Sequence, residues 1–255
     1  MNRWVIGVEI ALLAAGTIWL FARKTHVREL AGADLSQRDL SGRNLDHANL
    51  RGALLVRAKL RHASLRGADL EKADLTQANL GDAALQEANL RRATLKHADF
   101  LAASLERTTL AGAIALRAGF TDANLKEANC EGANLSGATF LRARANGINL
   151  ADADLTDARF RLTDLHGAIL RGAILRKADL LMASLDSADL SGARYDRSTQ
   201  WPGGFDPRTH GAIKVDEPEP AGMRGGTGNP VSPRARREAA HSEGDERMRG
   251  DRSHP

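Results

Sequence analysis

Apolar side chains fall on every fifth residue of this chain, from Leu30 onward. Of the 34 positions 30, 35, 40 and so on to 195, 26 are Leu and 4 are Phe, the others being Ala115, Cys130, Ala145 and Tyr195. Two residues before each stands an Ala in 28 of the 34 cases, the exceptions being Arg28, Arg38, Arg43, Thr108, Ile148 and Thr163. An α-helix needs apolar residues at 3.6-residue spacing and a strand at spacing two. A step of five satisfies neither, because it advances about 500° on a helical wheel and breaks strict alternation. The pattern predicts an all-β solenoid: short straight sides, each pointing one Ala and one Leu inward, stacked into coils around a continuous core.

The number of sides follows from the bulky residues. Phe100, Phe120, Phe140 and Phe160 are spaced by 20. Four pentads per coil would place these rings in one column, stacked above one another as a core ladder. The 34 pentads then make about 8.5 coils, and at about 4.8 Å per coil the rod is about 40 Å long.

The units Ala33-Asp34-Leu35, Ala48-Asn49-Leu50, Ala68-Asp69-Leu70, Ala88-Asn89-Leu90 and Ala133-Asn134-Leu135 resemble the A(D/N)LXX consensus of the pentapeptide-repeat family. The resemblance implies a right-handed quadrilateral β-helix over 28–197. The segment 198–214, with Trp201-Pro202 and Gly204-Phe205-Asp206-Pro207, resembles the tail that closes such repeats. Tyr195, Trp201 and Phe205 are read as a cap covering the last coil, where an open edge would otherwise invite pairing.

Residues 1–27 are expected to form an N-terminal anchor helix and its basic flank. Trp4 to Phe21 is an 18-residue, largely apolar stretch, about 27 Å long as a helix and so sufficient for a bilayer core. Trp4 and Trp19 lie near its ends and Arg23 and Lys24 follow it; Glu9 is its one charge. A cleaved signal peptide and a helix capping the first coil are the alternatives. The anchor reading makes this a single-pass protein of the bacterial inner membrane, and the basic flank favours a cytoplasmic repeat domain. From 215 to 255 the pattern vanishes among Pro, Gly and mixed charges, which reads as a disordered tail.

Charge changes the picture little. Residues 28–197 hold 24 Lys/Arg and 22 Asp/Glu, so no basic block predicts direct nucleic-acid binding. Opposite charges one coil apart, as at Arg51, Glu71 and Arg91, should support stacking, and Asn49, Asn89, Asn129 and Asn149 should hydrogen-bond along one face. Cys130 occupies a core position. His47, His62, His97 and His166 are dispersed, and Asp154, beside Asp152 and Asp157, fills the consensus Asp/Asn slot. No phosphate loop or nucleophile elbow appears. The chain reads as non-enzymatic, with no cofactor and no metal.

One surface feature stands out. On the side of the Phe column, outward slots carry Leu101, Leu141, Leu162, Leu181 and Met182, a candidate interface for a protein partner. Two rods could also associate through it as a homodimer. The function expected is a membrane-tethered scaffold that presents a rigid surface for protein–protein interaction. The alternative follows from the resemblance: some members of the family regulate type II topoisomerases by imitating duplex DNA, which demands one continuous acidic face.

Overall fold

The computed structural model describes residues 10–13, 17–20 and 29–215. From Glu29 to Arg194 each coil is paired to the next by parallel bridges at an offset of 20 residues, as in Glu29↔Asn49, Asp69↔Asn89 and Ile174↔Arg194. Four pentads therefore close one coil, and each pentad contributes one short side and one turn. The Leu and Phe at every fifth position are buried from end to end, and from Ala48 the Ala slots are too. This is the continuous core that the five-residue period predicts.

Backbone hydrogen bonding explains the rest of the pentad. Taking the unit that begins at Leu50, the Leu50 and Gly52 N–H groups donate to Asp69 and Glu71 of the next coil. Ala53 donates back to Leu50 across the turn, and Leu54 donates to Ala33 of the preceding coil. The one N–H left over belongs to Arg51, and the Asn49 side-chain oxygen accepts it at 3.3 Å. The same bond recurs at Asp34 to Ser36, Asp74 to Thr76, Asn134 to Ser136 and Asp189 to Ser191. The Asp/Asn preference is thus a requirement for an acceptor within reach of the turn's orphan donor. The second turn residue takes a left-handed φ in every pentad, whether glycine, as at Gly32 (66°), or not, as at Arg142 (56°) and Met182 (62°). Type II turns put φ > 0 at this place, and about 1 kcal/mol per non-glycine residue is a reasonable cost for it.

The phenylalanine rings form a stacked column, with centroids 5.0, 5.0 and 4.6 Å apart from Phe100 to Phe160. Their volume is offset within the same coils. Ala115 precedes Phe120 by one side, Cys130 lies two sides before Phe140, and Ala145 three sides before Phe160, all of them buried. Three of the four rings thus share a coil with a residue smaller than leucine, which holds the cross-section near native packing density, while the coil that ends at Phe100 keeps Leu85, Leu90 and Leu95. Burial pushes the Cys130 thiol up to about 12, so this cysteine is a core filler rather than a nucleophile. Thr108 and Thr163 stand in Ala slots and are fully interior; each hydroxyl donates to a carbonyl of the preceding coil, Leu85 at 2.7 Å and Phe140 at 2.6 Å.

At the C-terminal end the phase slips by one residue. Asp179 pairs with Gln200, an offset of 21. Strand β3 (Arg194–Tyr195) then pairs in parallel with β4 (Ile213–Lys214), after a 3-10 turn at Pro207–His210 capped by Asp206. Tyr195 meets Trp201 edge-on at 5.4 Å, and Trp201 stacks on Phe205 at 5.5 Å.

The N-terminal expectation is corrected. Instead of a helix over 4–21, Ile10–Leu13 (β1) and Thr17–Leu20 (β2) pair antiparallel, with Ile10 opposite Leu20 and Leu13 opposite Thr17. Hydropathy reports apolar content but not backbone geometry, and Ile10, Thr17, Ile18 and Trp19 are strand formers. A four-residue strand spans about 13 Å, less than half of a hydrocarbon core. The reading as a single-pass inner-membrane protein with a cytoplasmic repeat domain falls with the helix. Among the described residues no helix is long and apolar enough to cross a membrane. The remainder of 1–27 and the expected tail, beyond Val215, lie outside the described residues.

Candidate protein-docking surface

The turns of successive coils stack into four corners that run the length of the rod. The corner that follows the Phe column consists of residues 101–102, 121–122, 141–142, 161–162 and 181–182. Its positions follow directly from the ladder, because each outward residue lies one coil, about 4.8 Å, from its counterpart 20 residues away. Leu101, Leu162 and Met182 are 42%, 48% and 70% exposed. Leu141 and Leu181 are only half-buried neighbours that floor the same strip. The apolar patch expected from the sequence is therefore uneven: Leu101, Leu162 and Met182 project, and Leu141 and Leu181 lie lower although they share the first turn position with Leu101.

The charges between them are already satisfied. Arg142 lies between Leu141 and the strand of the next side, and its Nε and Nη2 each donate to Asp122 at 2.7 Å. That bidentate hydrogen bonding holds the Asp122 carboxyl below its usual range and raises the Arg142 guanidinium. Arg161 reaches Asp179 at 2.8 Å. Nearer the N-terminal end of the same corner Arg61 pairs with Asp82 at 2.8 Å. Exposed pairs of this kind add little to stability. Their effect on the corner is to remove the charges that would otherwise repel an apolar partner.

Ion pairs recur on two other corners. Arg107 spans Glu87 and Glu127, at 3.6 and 3.1 Å, and Arg51 spans Asp69 and Glu71, at 3.0 and 2.6 Å. The charge alternation expected at Arg51 and Glu71 is present there, whereas Arg91 makes no ion pair with Glu71. Along the asparagine face, Asn89 donates to Asp69 at 2.9 Å and Asn149 to Asn129 at 3.3 Å. No corner of the described rod presents a continuous acidic strip, since Glu87, Asp122, Glu127 and Asp179 are each matched by an arginine.

Other chemistry is sparse. Asp154 turns its carboxylate onto the Thr156 N–H, and no group of His, Cys, Asp and Glu among the described residues is placed to hold a metal ion. His62 approaches Asp82 at 3.8 Å, while His47 packs over Gly67. The backbone role of the Asp/Asn slot and the internal pairing of Arg142 and Arg161 were missed from sequence. The first is legible in hindsight as a residue with an acceptor three places before each left-handed turn position. The second depended on which column each arginine occupies.

Comparison with known proteins places this arrangement. The family model for pentapeptide repeats matches residues 29–67, 44–82, 73–110, 103–140, 141–172 and 153–192. Among solved structures, the chain is similar to HetL, a pentapeptide repeat protein involved in heterocyst differentiation regulation from the cyanobacterium Nostoc. The two are 32% identical over 65% of this chain and 84% of that one, with a TM-score of 0.51. It is also similar to alr5209, a second pentapeptide repeat protein from Nostoc, at 38% identity over 40% of this chain and 84% of that one, TM-score 0.38. QnrB1, a plasmid-mediated fluoroquinolone resistance protein, aligns at 17% identity over 74% of this chain and 93% of that one, TM-score 0.32. No curated protein matches the chain.

Proposed function

The chain belongs to the pentapeptide-repeat family, and from that premise we propose that it is a non-catalytic scaffold whose rigid β-helix presents side chains for docking a protein partner. Proteins of this family are in general structural or interaction proteins rather than catalysts. The observation that carries the proposal is the corner at Leu101, Leu162 and Met182, apolar at its tips and neutralised at Arg142 and Arg161. A partner with complementary apolar anchors meets a surface whose side chains are already fixed by the core beneath. Little ordering entropy remains to be lost at the backbone, which favours affinity for a given contact area. The lack of a continuous acidic strip on the described rod supports this reading over regulation of a topoisomerase by DNA mimicry.

Site-specific photocrosslinking tests it. A photoreactive residue at Leu162 should capture a distinct protein in cells. Leu162→Glu with Met182→Glu, read out by a photoreactive residue at Leu101, should abolish capture while leaving the melting temperature within about 2 °C, as expected for surface changes worth under about 0.5 kcal/mol. Capture that survives the double variant would remove the corner from the function. Self-crosslinks alone would replace the partner with a second copy of this chain.

A further inference from the structure

The fourth corner, at the opposite edge of the Phe-bearing side, differs from the other three. Its outward residues are Ser36-Gln37, Val56-Arg57, Thr76-Gln77, Lys96-His97, Leu116-Arg117, Ser136-Gly137, Thr156-Asp157 and Arg176-Lys177. Over these eight rows that is five Lys or Arg against one acid; Asp196-Arg197 follow at the same corner, where an Asp196 carboxylate oxygen accepts the Lys177 N–H at 3.1 Å. None of the five cations makes an ion pair; Arg57 donates instead to the neutral Gln77 side chain at 2.7 Å, and the Arg176 Nε is enclosed without an acceptor. Asp74 and Asp154, on the preceding side, turn a carboxylate oxygen onto the Thr76 and Thr156 N–H groups and form no ion pair with the row. At Arg57, Lys96 and Arg117 an approaching anion therefore has no ion pair to displace, unlike at Arg142 or Arg107.

Apolar groups accompany the cations in a regular register. Leu54 and Ile114, 44% and 40% exposed, stand on the side just before the corner, with half-buried Val56 and Leu116 leading to Arg57 and Arg117. The two apolar-then-basic units are 60 residues apart, and Ile174 with Lys177 continues the series at the same interval. Three coils make about 14 Å. An extended chain covers that distance in about four residues, an even number, so side chains four apart point the same way. On an α-helix the same span is about ten residues, which is no multiple of the turn.

We propose that this corner binds an extended, acidic segment of a partner protein in which an acidic and an apolar residue recur every fourth position. The carboxylates meet Arg57, Arg117 and Lys177, the apolar residues meet Leu54 and Ile114, and Lys96, off this register, adds positive charge between the first two units. A nucleic acid fits less well. The row carries no Trp, Tyr or Phe on which bases could stack, and its exposed Leu and Ile add nothing to phosphate binding. The proposal goes beyond the docking reading at the Leu101 corner, lies on a different corner, and stands or falls separately.

Fluorescence anisotropy on the full chain at about 0.1 M salt tests it, where long-range attraction is screened but contact pairs persist. The probes are a labelled peptide of about twelve residues with Glu and Leu each recurring every fourth position, a scrambled peptide of the same composition, and single-stranded DNA of the same charge. The register peptide should bind at least about tenfold more tightly than the scrambled one. R57E/R117E/K177E should weaken it by more than about tenfold, and so should the neutral R57Q/R117Q/K177Q, which guards against misfolding from clustered acids. R91E/R92E/R171E, with the same net charge change on another corner, should not. Equal binding of the scrambled peptide, equal loss in the control variant, or tighter binding of the DNA would each overturn the proposal.

Discussion

The two corners that flank the Phe-bearing side share one backbone and one core, yet offer opposite chemistry. The corner after the rings projects Leu101, Leu162 and Met182 and folds its arginines onto Asp122 and Asp179. The corner before them leaves Arg57, Lys96, Arg117 and Lys177 without ion-pair partners. Both follow the same turn, with a left-handed φ of 53° at Arg117 and 56° at Arg142. The β-helix therefore supplies a lattice and leaves its outward sites chemically uncommitted. What a corner does is decided by which residues occupy it and, for charges, by whether a counter-charge comes close enough to pair.

The comparison assumes a common rigid core, and the largest effects test that assumption. Phe120→Ala should lose about 3–5 kcal/mol, through lost burial and the cavity left between Phe100 and Phe140. A chemical denaturation midpoint that implies a loss under about 1 kcal/mol would show that the rings are not integral to the core. Ala115→Leu, in the same coil, should cost about 1–3 kcal/mol by overpacking. Adding Phe120→Leu should recover most of that loss, since one large and one small residue would again share the coil. A strictly additive double variant would mean that the two positions do not compensate each other.

Smaller effects separate surface from scaffold. Met182→Gly relieves a left-handed φ of 62° and should stabilise the rod by up to about 1 kcal/mol, while removing the most exposed apolar tip. A variant that melts higher but crosslinks less would detach docking from stability. If it melts lower, the turn geometry is not where the cost lies.

The smallest expected effect concerns the charges, and its sign can be worked out. The side-chain hydrogen bonding from Arg142 depresses the Asp122 pKa, the Ser36 backbone N–H does so for Asp34, and the Ser41 and Ser191 hydroxyls do so for Asp39 and Asp189. A depressed carboxyl stabilises the folded state fully above its unfolded pKa, about 3.9 for Asp, and that contribution fades as pH falls through the lower folded value. Melting temperature should thus hold steady down to about pH 4 and decline only below it. In that acid range Arg142 loses its partner, and the apolar corner comes to resemble the basic one. Asp122→Asn should bring about the same change at neutral pH: weak binding of the acidic peptide at a corner that otherwise ignores it. No gain of binding would mean that the free cations alone do not define the basic corner.

Much of this was legible in the linear sequence because the period is strict. A residue's place modulo five states whether it points in or out, and its place modulo 20 states which column it joins. Phe100 to Phe160 could therefore be set in one column, and Leu101, Leu162 and Met182 on one corner, from spacing alone. The N-terminal stretch had no period to read. Its apolar content suited a helix or a strand equally, and Ile10–Leu13 and Thr17–Leu20 pair as antiparallel strands. The slip at Tyr195, which sets Asp179 against Gln200, was likewise hidden, because one extra residue outside the repeat has no signature of its own.

By itself, then, the sequence determined the solenoid, its four-pentad coil and the inward column of rings, since burial of one side chain in five leaves a chain few other ways to exclude water. Tertiary structure alone decided which donor the Asp/Asn slot satisfies, which arginines are neutralised and which remain free, and how the last coil is closed. The ion pairs and the closing bridge depend on distances of about one coil between residues 18 to 21 apart, and the Asp/Asn bond on a turn that brings a donor two residues on within reach; such contacts form or fail within a few tenths of an ångström.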